Sequence, residues 1–338
     1  MKNTVILGAL SVVALSAGMA SADTLADVKA RGELNCGVNV GLTGFGAPDA
    51  NGNYQGFDVA LCKAVAAAVL GDASKVKYLP TTGETRFTAL ASGEVDVLIR
   101  NSTWTFSRDT DLKFDFVAVN YYDGQGFMVK KDLGVSSAKE LDGATVCIQT
   151  GTTTELNLAD FFKSNNMAYT PVNVADDSEG QRQYLAGACD VYTTDASGLA
   201  ASRATLPDAD NHIILPEIIS KEPLGPLVRH GDNNWGDIIR WTYFALVAAE
   251  EYGVTSANVA DMATSTNNPE VKRLLGAEGE MGKMIGLDPE WAKRAIAASG
   301  NYGEIFEANI GSATPIKLAR GLNALWTQGG LQYAPPFR

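Results

Sequence analysis

Two residues of opposite charge, Arg108 and Asp195, lie where a parallel α/β sheet would place a ligand. Arg108 follows the predicted strand Val95–Ile99 and a polar stretch that begins at Asn101, and Asp195 follows the predicted strand Cys189–Thr193. Ligands of open α/β sheets bind outside the carboxyl ends of the strands. An arginine fork binds a carboxylate through two parallel hydrogen bonds, and a fixed carboxylate binds an ammonium group. The two residues therefore favour a site for a small molecule that carries both charges.

Both residues also have a structural alternative. Arg108 could form a surface ion pair with Asp109 or Asp111. Asp195 could be the N-cap of a helix that begins near Ala196, because aspartate is a preferred residue at that position. The N-cap role and the ligand role of Asp195 are compatible with each other.

A second candidate for anion binding is the segment Gly151–Glu155, between a predicted strand and a predicted helix. Thr152 and Glu155 have the spacing of a capping box, which indicates a helix N-terminus. The free backbone N–H groups of such an N-terminus attract anions. The alternative is that Thr152 and Glu155 only cap the helix.

The elements that carry these residues alternate between strand and helix in two series, which predicts parallel βαβ units in two α/β lobes. The first series is the strand Leu34–Val40, the helix Phe57–Leu70, the strand Val76–Leu79, the helix Thr85–Ser92 and the strand Val95–Ile99. The second series is the strand Ala144–Gln149, the helix Thr153–Lys163, the strand Pro171–Val174, the helix Ser178–Ala186 and the strands Cys189–Thr193 and His212–Leu215.

Two extended segments are predicted to cross between the lobes, Tyr121–Lys131 on the way out and Lys221–Arg229 on the way back. Residues 23–125 and 226–338 then form lobe 1, and residues 126–225 form lobe 2. A helical tail is predicted after the second crossing, and it would either brace lobe 1 or contact a membrane partner. Its predicted helices are Trp235–Tyr252, Pro269–Leu275, Pro289–Ser299 and Ile316–Leu325.

The N-terminus and the charge of the chain bound its location and its partners. Residues 1–22 combine Lys2, an apolar run and small residues before Asp23, the pattern of a cleavable secretory signal. The run is too short to span a bilayer, so we expect an exported, soluble protein. The formal net charge of −12 argues against nucleic acid and anionic membrane surfaces as partners.

Four cysteines in an exported chain predict two disulfides. Three connectivities are possible. Because each predicted lobe contains two of the cysteines, we expect Cys36 to pair with Cys62 and Cys147 with Cys189. A zinc site is disfavoured, since the only histidines, His212 and His230, are not spaced for chelation.

The order and spacing of several motifs resemble the polar amino-acid-binding proteins of ATP-driven (ABC) importers, the family 3 solute-binding proteins. The chain is most similar to the general L-amino-acid-binding branch of that family. The resemblance covers about Gly32 to Tyr252. The segments that carry it are GNYQGFDVALCKAVA (Gly52–Ala66), TRFTALASGEVDVLIRNSTWTFSRD (Thr85–Asp109), VCIQTGTTTELNL (Val146–Leu158), CDVYTTDASGLA (Cys189–Ala200), NYYDGQGFMVKK (Asn120–Lys131) and LPEIISKEPLGPLVRHGD (Leu215–Asp232).

The resemblance implies the type II periplasmic-binding-protein fold and a role for each site residue. Arg108 would bind the α-carboxylate of an amino acid, and Thr103 would add its amide and hydroxyl. Asn101 would offer a backbone carbonyl. Thr153 would close on the same carboxylate from lobe 2, and Asp195 would accept from the ammonium group.

Selectivity for the ligand's side chain is less evident from the sequence. In glutamate-preferring relatives an arginine at the position of Arg86 binds a second carboxylate, although Arg86 could instead form a surface ion pair with Glu84. Leu42 falls where many relatives carry an aromatic residue that stacks on the ligand. This departure predicts broad specificity, or a shift of the aromatic wall to Phe45 or Trp104.

The resulting hypothesis is a periplasmic, monomeric binder without a cofactor that closes on a free polar L-amino acid and delivers it to an ABC permease. Glutamate, glutamine and aspartate are among the expected ligands. One alternative is a dehydratase of the same fold acting on prephenate or arogenate, but the pocket residues offer no free general acid. The other is a sensory module, for which we expect a membrane span that the sequence lacks.

Overall fold

The computed structural model describes residues 23–338, and the predicted secretory signal at residues 1–22 lies outside the described residues. Strands and helices alternate along the chain in two series, and the prediction of two α/β lobes is confirmed. The first series consists of α1 (Thr24–Arg31), β1 (Leu34–Asn39), β2 (Ala47–Pro48), β3 (Tyr54–Gln55), α2 (Phe57–Leu70), β4 (Val76–Thr81), α3 (Arg86–Ala91), β5 (Val97–Leu98), α4 (Phe106–Thr110) and β6 (Phe114–Phe116).

The second series builds the other lobe and both connections, and its last strand returns to the sheet of the first lobe. It consists of β7 (Tyr121–Asp123), β8 (Gln125–Lys130), β9 (Thr145–Gln149), α5 (Thr153–Ser164), β10 (Thr170–Val174), α6 (Asp177–Leu185), β11 (Val191–Asp195), α7 (Ala196–Ala204), β12 (His212–Ile214), β13 (Glu222–Leu224) and β14 (Leu227–Arg229).

Each lobe contains a five-stranded sheet with the same arrangement. The first sheet has the order β4-β1-β5-β14-β6, in which β1 is parallel to β4 and β5, and β14 is antiparallel to its neighbours. The second has the order β10-β9-β11-β8-β12, with β9 parallel to β10 and β11, and β8 antiparallel to its neighbours. The carboxyl ends of the parallel strands therefore form one edge of each sheet, where a ligand site is expected.

Two short strands connect the lobes and pair with each other. In this antiparallel pair, Tyr121 of β7 is opposite Leu224 of β13, and Asp123 is opposite Glu222. The next residue after β13, Gly225, packs its backbone against that of Ala118. A Cβ at this position would lie 1.9 Å from the Ala118 carbonyl oxygen, so only glycine fits. The two strands lie inside the predicted crossing segments, while the lobe boundaries after residues 125 and 225 stay predictions.

The tail after β14 packs on the first lobe, so its contacts favour the bracing role. In α12, Arg294 Nε donates to the Ala67 carbonyl of α2 at 3.2 Å, and Ser299 Oγ donates to the Ala60 carbonyl at 3.0 Å. The tail helices are α8 (Asn233–Glu251), α9 (Val259–Ser265), α10 (Pro269–Leu274), α11 (Met281–Met284), α12 (Trp291–Ser299) and α13 (Tyr302–Asn309).

The end of the tail also contacts the first crossing strand. Tyr122 N of β7 donates to Asn323 Oδ1 at 2.7 Å, and Asn323 Nδ2 donates back to the Tyr122 carbonyl at 3.1 Å. Asn323 is buried. The tail thereby fixes the backbone of β7 relative to the first lobe.

The predicted helix Ile316–Leu325 is wrong. This stretch is irregular apart from one 3₁₀ turn at Gly321–Asn323. Lys317 (φ 56°) and Gly321 (φ 49°) adopt left-handed backbone conformations, which interrupt an α-helix. The helix α13 was not among the predicted helices, although it begins with a capping box between Asn301 and Glu304.

Both predicted disulfides are confirmed. Cys36 pairs with Cys62 at a Cα separation of 6.2 Å, and Cys147 pairs with Cys189 at 5.6 Å. Both distances are in the usual range for a disulfide. Each bond lies within one lobe, so neither restricts movement of one lobe against the other.

Replacing Cys147 and Cys189 together by alanine is expected to lower the free energy of unfolding by about 2–4 kcal/mol, because the bond limits the freedom of the unfolded chain. Urea denaturation followed by circular dichroism measures the loss. The wild-type protein in reducing buffer is the control and should show a similar or larger loss, since both bonds are then broken. A variant that unfolds at the wild-type urea concentration would contradict the prediction.

Candidate functional site

A small cavity lies between the lobes, at the carboxyl ends of β5, β9 and β11. The lobes contact each other beside it, since Arg86 Nη2 donates to the Gly151 carbonyl at 3.2 Å and Asn39 Nδ2 donates to Asp177 Oδ2 at 3.3 Å. The structure is therefore a closed arrangement. The cavity is lined by Arg86, Arg100, Asn101, Thr103, Gln149, Thr152, Thr153, Thr154, Thr194 and Asp195.

The structure brings six of the seven predicted ligand residues together around this cavity, and Arg108 is the exception. The side chain of Arg108 is nevertheless adjacent, because its Nη1 donates to the carbonyl of the cavity-lining Thr103 at 2.9 Å. Its guanidinium carbon also lies 4.9 Å from the ring centroid of Phe87. Burial lowers the pKa of Arg108 to about 10, so the side chain stays charged at neutral pH.

The surface alternatives for the two predicted arginines do not hold. Arg86 and Arg108 are both buried, with 3% and 7% of their surface exposed. Arg86 donates to Ser102 Oγ at 3.2 Å and to Gly151 rather than to Glu84. Neither guanidinium lies within 4.0 Å of a carboxylate among the described residues, so both are buried cations without an ion pair.

Asp195 is the acidic residue of the cavity wall. It ends β11 and occupies the N-cap position of α7, but its side chain caps no backbone N–H. Burial, and next the negative charges of Asp123 and Glu222, raise the pKa of Asp195 well above its ordinary value. A cation placed beside this carboxylate would stabilise its ionised form. The N-cap alternative therefore does not account for the side chain.

The N-terminus of α5 faces the cavity through Thr152, Thr153 and Thr154. The predicted capping box is wrong: Thr152 Oγ1 donates back to the Gln149 carbonyl at 2.7 Å, and Glu155 accepts from the Gly151 N–H at 2.9 Å. No side chain caps the first turn of α5. Its leading N–H groups are consequently available to an anion in the cavity.

The backbone of Asn101 is held in an uncommon conformation at the cavity edge. Its φ is 24°, and its N–H donates to Asp58 Oδ2 at 3.0 Å. Asn120 Nδ2 donates to the other oxygen of Asp58 at 3.1 Å. Burial raises the pKa of Asp58 to about 6. Strain of this kind persists only where surrounding groups enforce it, and Asp58 supplies that restraint.

Glu222 of β13 is a buried residue that sequence reasoning missed. Its carboxylate accepts from the Thr103 hydroxyl of the first lobe and from Thr153 Oγ1 of the second at 2.9 Å. It also accepts from Asn157 Nδ2 and Ser220 Oγ, each at 2.7 Å. The hydroxyls of Thr103 and Thr153, which were predicted to serve the ligand, thus bind a carboxylate of the chain itself and connect the lobes.

A shifted aromatic wall is not found. Phe45 is buried in the first lobe against Phe57, with 6.0 Å between ring centroids. Trp104 stacks on Phe116 at 5.8 Å and donates to Asp109. Within residues 23–338, no aromatic side chain lines the cavity. Its wall is therefore polar and charged throughout.

Comparison with known proteins gives consistent similarities. The family model described as "Bacterial extracellular solute-binding proteins, family 3" matches residues 34–260. The chain is 77% identical over 338 residues to the glutamate/glutamine/aspartate/asparagine-binding protein BztA of Rhodobacter capsulatus, with 100% of both chains covered. It is 60% identical over 342 residues to the general L-amino acid-binding periplasmic protein AapJ of Rhizobium johnstonii, again with 100% of both chains covered.

A solved structure shares nearly the whole fold. A periplasmic binding protein of an ABC transporter from Brucella ovis, solved with glutathione bound, superposes with a TM-score of 0.91. It is 57% identical, and the match covers 94% of this chain and 100% of that one. In residues 23–338, no helix has the length and apolar character that crossing a membrane requires.

Proposed function

Because the chain belongs to the family 3 bacterial extracellular solute-binding proteins, we propose that it captures free polar L-amino acids in the periplasm for an ABC importer. Its relatives are amino-acid-binding proteins of such transporters, and BztA is named for glutamate, glutamine, aspartate and asparagine. The same four amino acids are the ligands we propose for this chain.

One observation carries this proposal: the closed cavity contains buried charges of both signs that have no ion-pair partner in the described chain. Asp195 provides the anion, and Arg86, Arg100 and Arg108 provide cations in or beside the wall. An isolated buried charge is costly, so a ligand that carries the opposite charges gains binding energy here. A zwitterionic amino acid has the matching pair of groups.

We propose that Arg108 and Asp195 bind the α-carboxylate and the ammonium group. Asn101 and the backbone N–H groups of Thr103, Thr153 and the rest of the α5 N-terminus add hydrogen bonds, and Thr152 shapes that N-terminus. Charge-assisted hydrogen bonds contribute about 1.5–3 kcal/mol each. Several of them give micromolar or tighter affinity, about 8 kcal/mol, after the costs of desolvation and ordering.

Closure of the lobes would accompany binding. Asp195 and Thr153 belong to the second lobe, whereas Arg108 and Thr103 belong to the first. A ligand shifts an open–closed equilibrium only through its differential affinity for the two states. Contacts that form on closure supply that difference, and the paired strands β7 and β13 would act as the hinge, with lobe boundaries near residues 125 and 225.

We also propose that the protein is exported and that it binds its ligand without catalysing a reaction. Residues 1–22 would direct export and then be removed. The closed protein would dock as a monomer on the membrane subunits. A dehydratase is not favoured, because the close relatives are named as binding proteins and Asp195, the one carboxylate that lines the cavity within residues 23–338, is assigned to the ammonium group.

Isothermal titration calorimetry against all proteinogenic L-amino acids tests the proposal. The protein is first unfolded and refolded to remove bound ligand. Glutamate, glutamine, aspartate and asparagine are expected to bind with micromolar or lower Kd (about 8 kcal/mol or more). Glutathione belongs in the panel, since its glutamyl end presents the same two charged groups. D-glutamate is the control for specific geometry.

An absence of binding to every L-amino acid would overturn the proposed function. Equal binding of L- and D-glutamate would also contradict it, because the charges of Arg108 and Asp195 have fixed positions in the proposed site. Formation of product from prephenate would support the dehydratase alternative instead.

A further inference from the structure

Arg100 is the cavity residue that neither the sequence pattern nor the resemblance assigned. It follows β5 closely and lines the cavity with only 1% of its surface exposed. Its Nε is enclosed and has no hydrogen-bond partner. Among the described residues, no carboxylate lies within 4.0 Å of its guanidinium, and only acids farther away act on its charge.

The acids nearest to Arg100 are already engaged. Asp58 accepts from the backbone of Asn101, and Asp177 accepts from the Tyr192 hydroxyl at 3.2 Å. The third acid, Asp195, is needed for the ammonium group of the ligand. None of these carboxylates is in direct contact with Arg100, so the donor groups of its guanidinium are free to bind a carboxylate of the ligand.

The hydrogen bonds of the cavity arginines indicate which group of the ligand Arg100 can bind. The α-carboxylate and the ammonium group of an amino acid satisfy Arg108 and Asp195. The Nε atoms of Arg86 and Arg100 both lack a partner, but Arg86 still donates to Ser102 and Gly151 through its terminal nitrogens, whereas the Arg100 side chain donates to no residue of 23–338. A second carboxylate on the ligand would occupy this remaining donor group.

We infer that Arg100 binds the side-chain carboxylate of glutamate or aspartate and so sets the preference of the protein for acidic over amide ligands. This inference rests on the proposed function. Arg100 is the specificity residue, and Arg86 forms the neighbouring wall that links the two lobes. An amide side chain offers one neutral acceptor to the same guanidinium and binds less strongly.

The test compares glutamate with glutamine, which have nearly the same shape and differ in charge, in wild type and in Arg100→Met. Calorimetry is expected to show affinity for glutamate and aspartate reduced about 10- to 100-fold, the loss of one charge-assisted hydrogen bond. Affinity for glutamine and asparagine should change far less. The ratio of the glutamate Kd to the glutamine Kd is the readout.

A second readout excludes a merely structural role for Arg100. Replacing an unpaired buried charge by an apolar side chain is neutral or stabilising, so ligand-free Arg100→Met should melt at the wild-type temperature or higher. Arg229→Met is the matched control, since Arg229 Nη1 donates to the Leu90 and Val95 carbonyls at 3.0 and 2.7 Å. That variant should lose stability and keep the wild-type ratio of affinities.

The other possible results of these experiments would contradict the role inferred for Arg100. An unchanged glutamate-to-glutamine ratio in Arg100→Met overturns the inference, as does an equal loss for all four ligands, which would place Arg100 on the α-carboxylate. A lower melting temperature with an unchanged ratio assigns Arg100 a structural role. If wild type binds none of the four amino acids, the proposed function fails, and the inference fails with it.

Discussion

Replacing Asp195 by asparagine is expected to remove measurable binding of every amino acid that the wild-type protein accepts. Asparagine keeps the shape of the side chain but leaves the ammonium group of the ligand without a counter-charge in a closed cavity. Removal of one partner of a buried ion pair costs about 3–5 kcal/mol, which is roughly a hundred- to several-thousand-fold in Kd. Calorimetry with glutamate and glutamine measures the loss, which should be similar for both.

The matched control is Asp190→Asn, an aspartate that lies just before β11 and is exposed to solvent. It accepts from Thr145 at the opposite end of the strand from Asp195. Affinity in this variant should equal that of wild type. Wild-type affinity in Asp195→Asn would contradict the proposal that Asp195 binds the ammonium group of the ligand.

The same prediction has a dependence on pH with a defined sign. The pKa of Asp195 is raised by burial when the cavity is empty, and the ammonium group of the ligand lowers it again. Affinity is therefore full above the raised pKa and weakens as the pH falls through it. Titrations at decreasing pH measure this loss, and buffers of different ionisation enthalpy detect the accompanying proton release. Asp195→Asn should show neither effect.

Replacing Arg108 by methionine is expected to weaken binding of all amino acids about 100- to 10,000-fold, because two charge-assisted hydrogen bonds to the α-carboxylate are lost. The α-carboxylate is common to every ligand, so glutamate and glutamine should lose equally. This equal loss distinguishes Arg108 from Arg100, whose replacement should affect acidic ligands selectively. Calorimetry on both variants provides the comparison.

A second variant, Arg108→Lys, separates the effect of the positive charge from that of the guanidinium geometry. It keeps the positive charge but lacks the planar fork that binds two carboxylate oxygens. We expect affinity between that of wild type and Arg108→Met. A methionine variant that binds like wild type would indicate that the carbonyl of Thr103 and the ring of Phe87 are the only partners of Arg108.

The fold was predictable from the sequence because its strands and helices have regular patterns. The strand β1 has apolar residues at alternate positions, Leu34, Cys36 and Val38. The helix α2 places its apolar residues at helical spacing before Gly71, which has a φ of 76° at the helix C-terminus. Such local patterns are independent of the rest of the structure. The segment Ile316–Leu325 lacks a cap and contains Gly321, so its pattern alone was a weak basis for a helix.

The charged residues of the site were harder to predict, because a sequence does not show which charges are buried. Arg108 and Asp195 were found through their positions after strands and through the family motifs. Arg100 and Glu222 are also charged and buried, but neither was predicted. Charged residues are normally exposed, and the burial of these two depends on how the lobes meet. Asp58 was missed for the same reason, since it lies in the first turn of a helix.

The contact between Asn323 and Tyr122 determines where the chain can bend when the lobes separate. The two hydrogen bonds tie β7 to the first lobe up to Tyr122, so rotation about the backbone is concentrated in the next residues, Asp123 and Gly124. A Cβ on Gly124 would lie 2.2 Å from Ile218, which leaves no room for a larger residue in the closed state. The tail is thus expected to confine the bending of the first connection to these two residues, so that the second lobe rotates about them when the lobes separate.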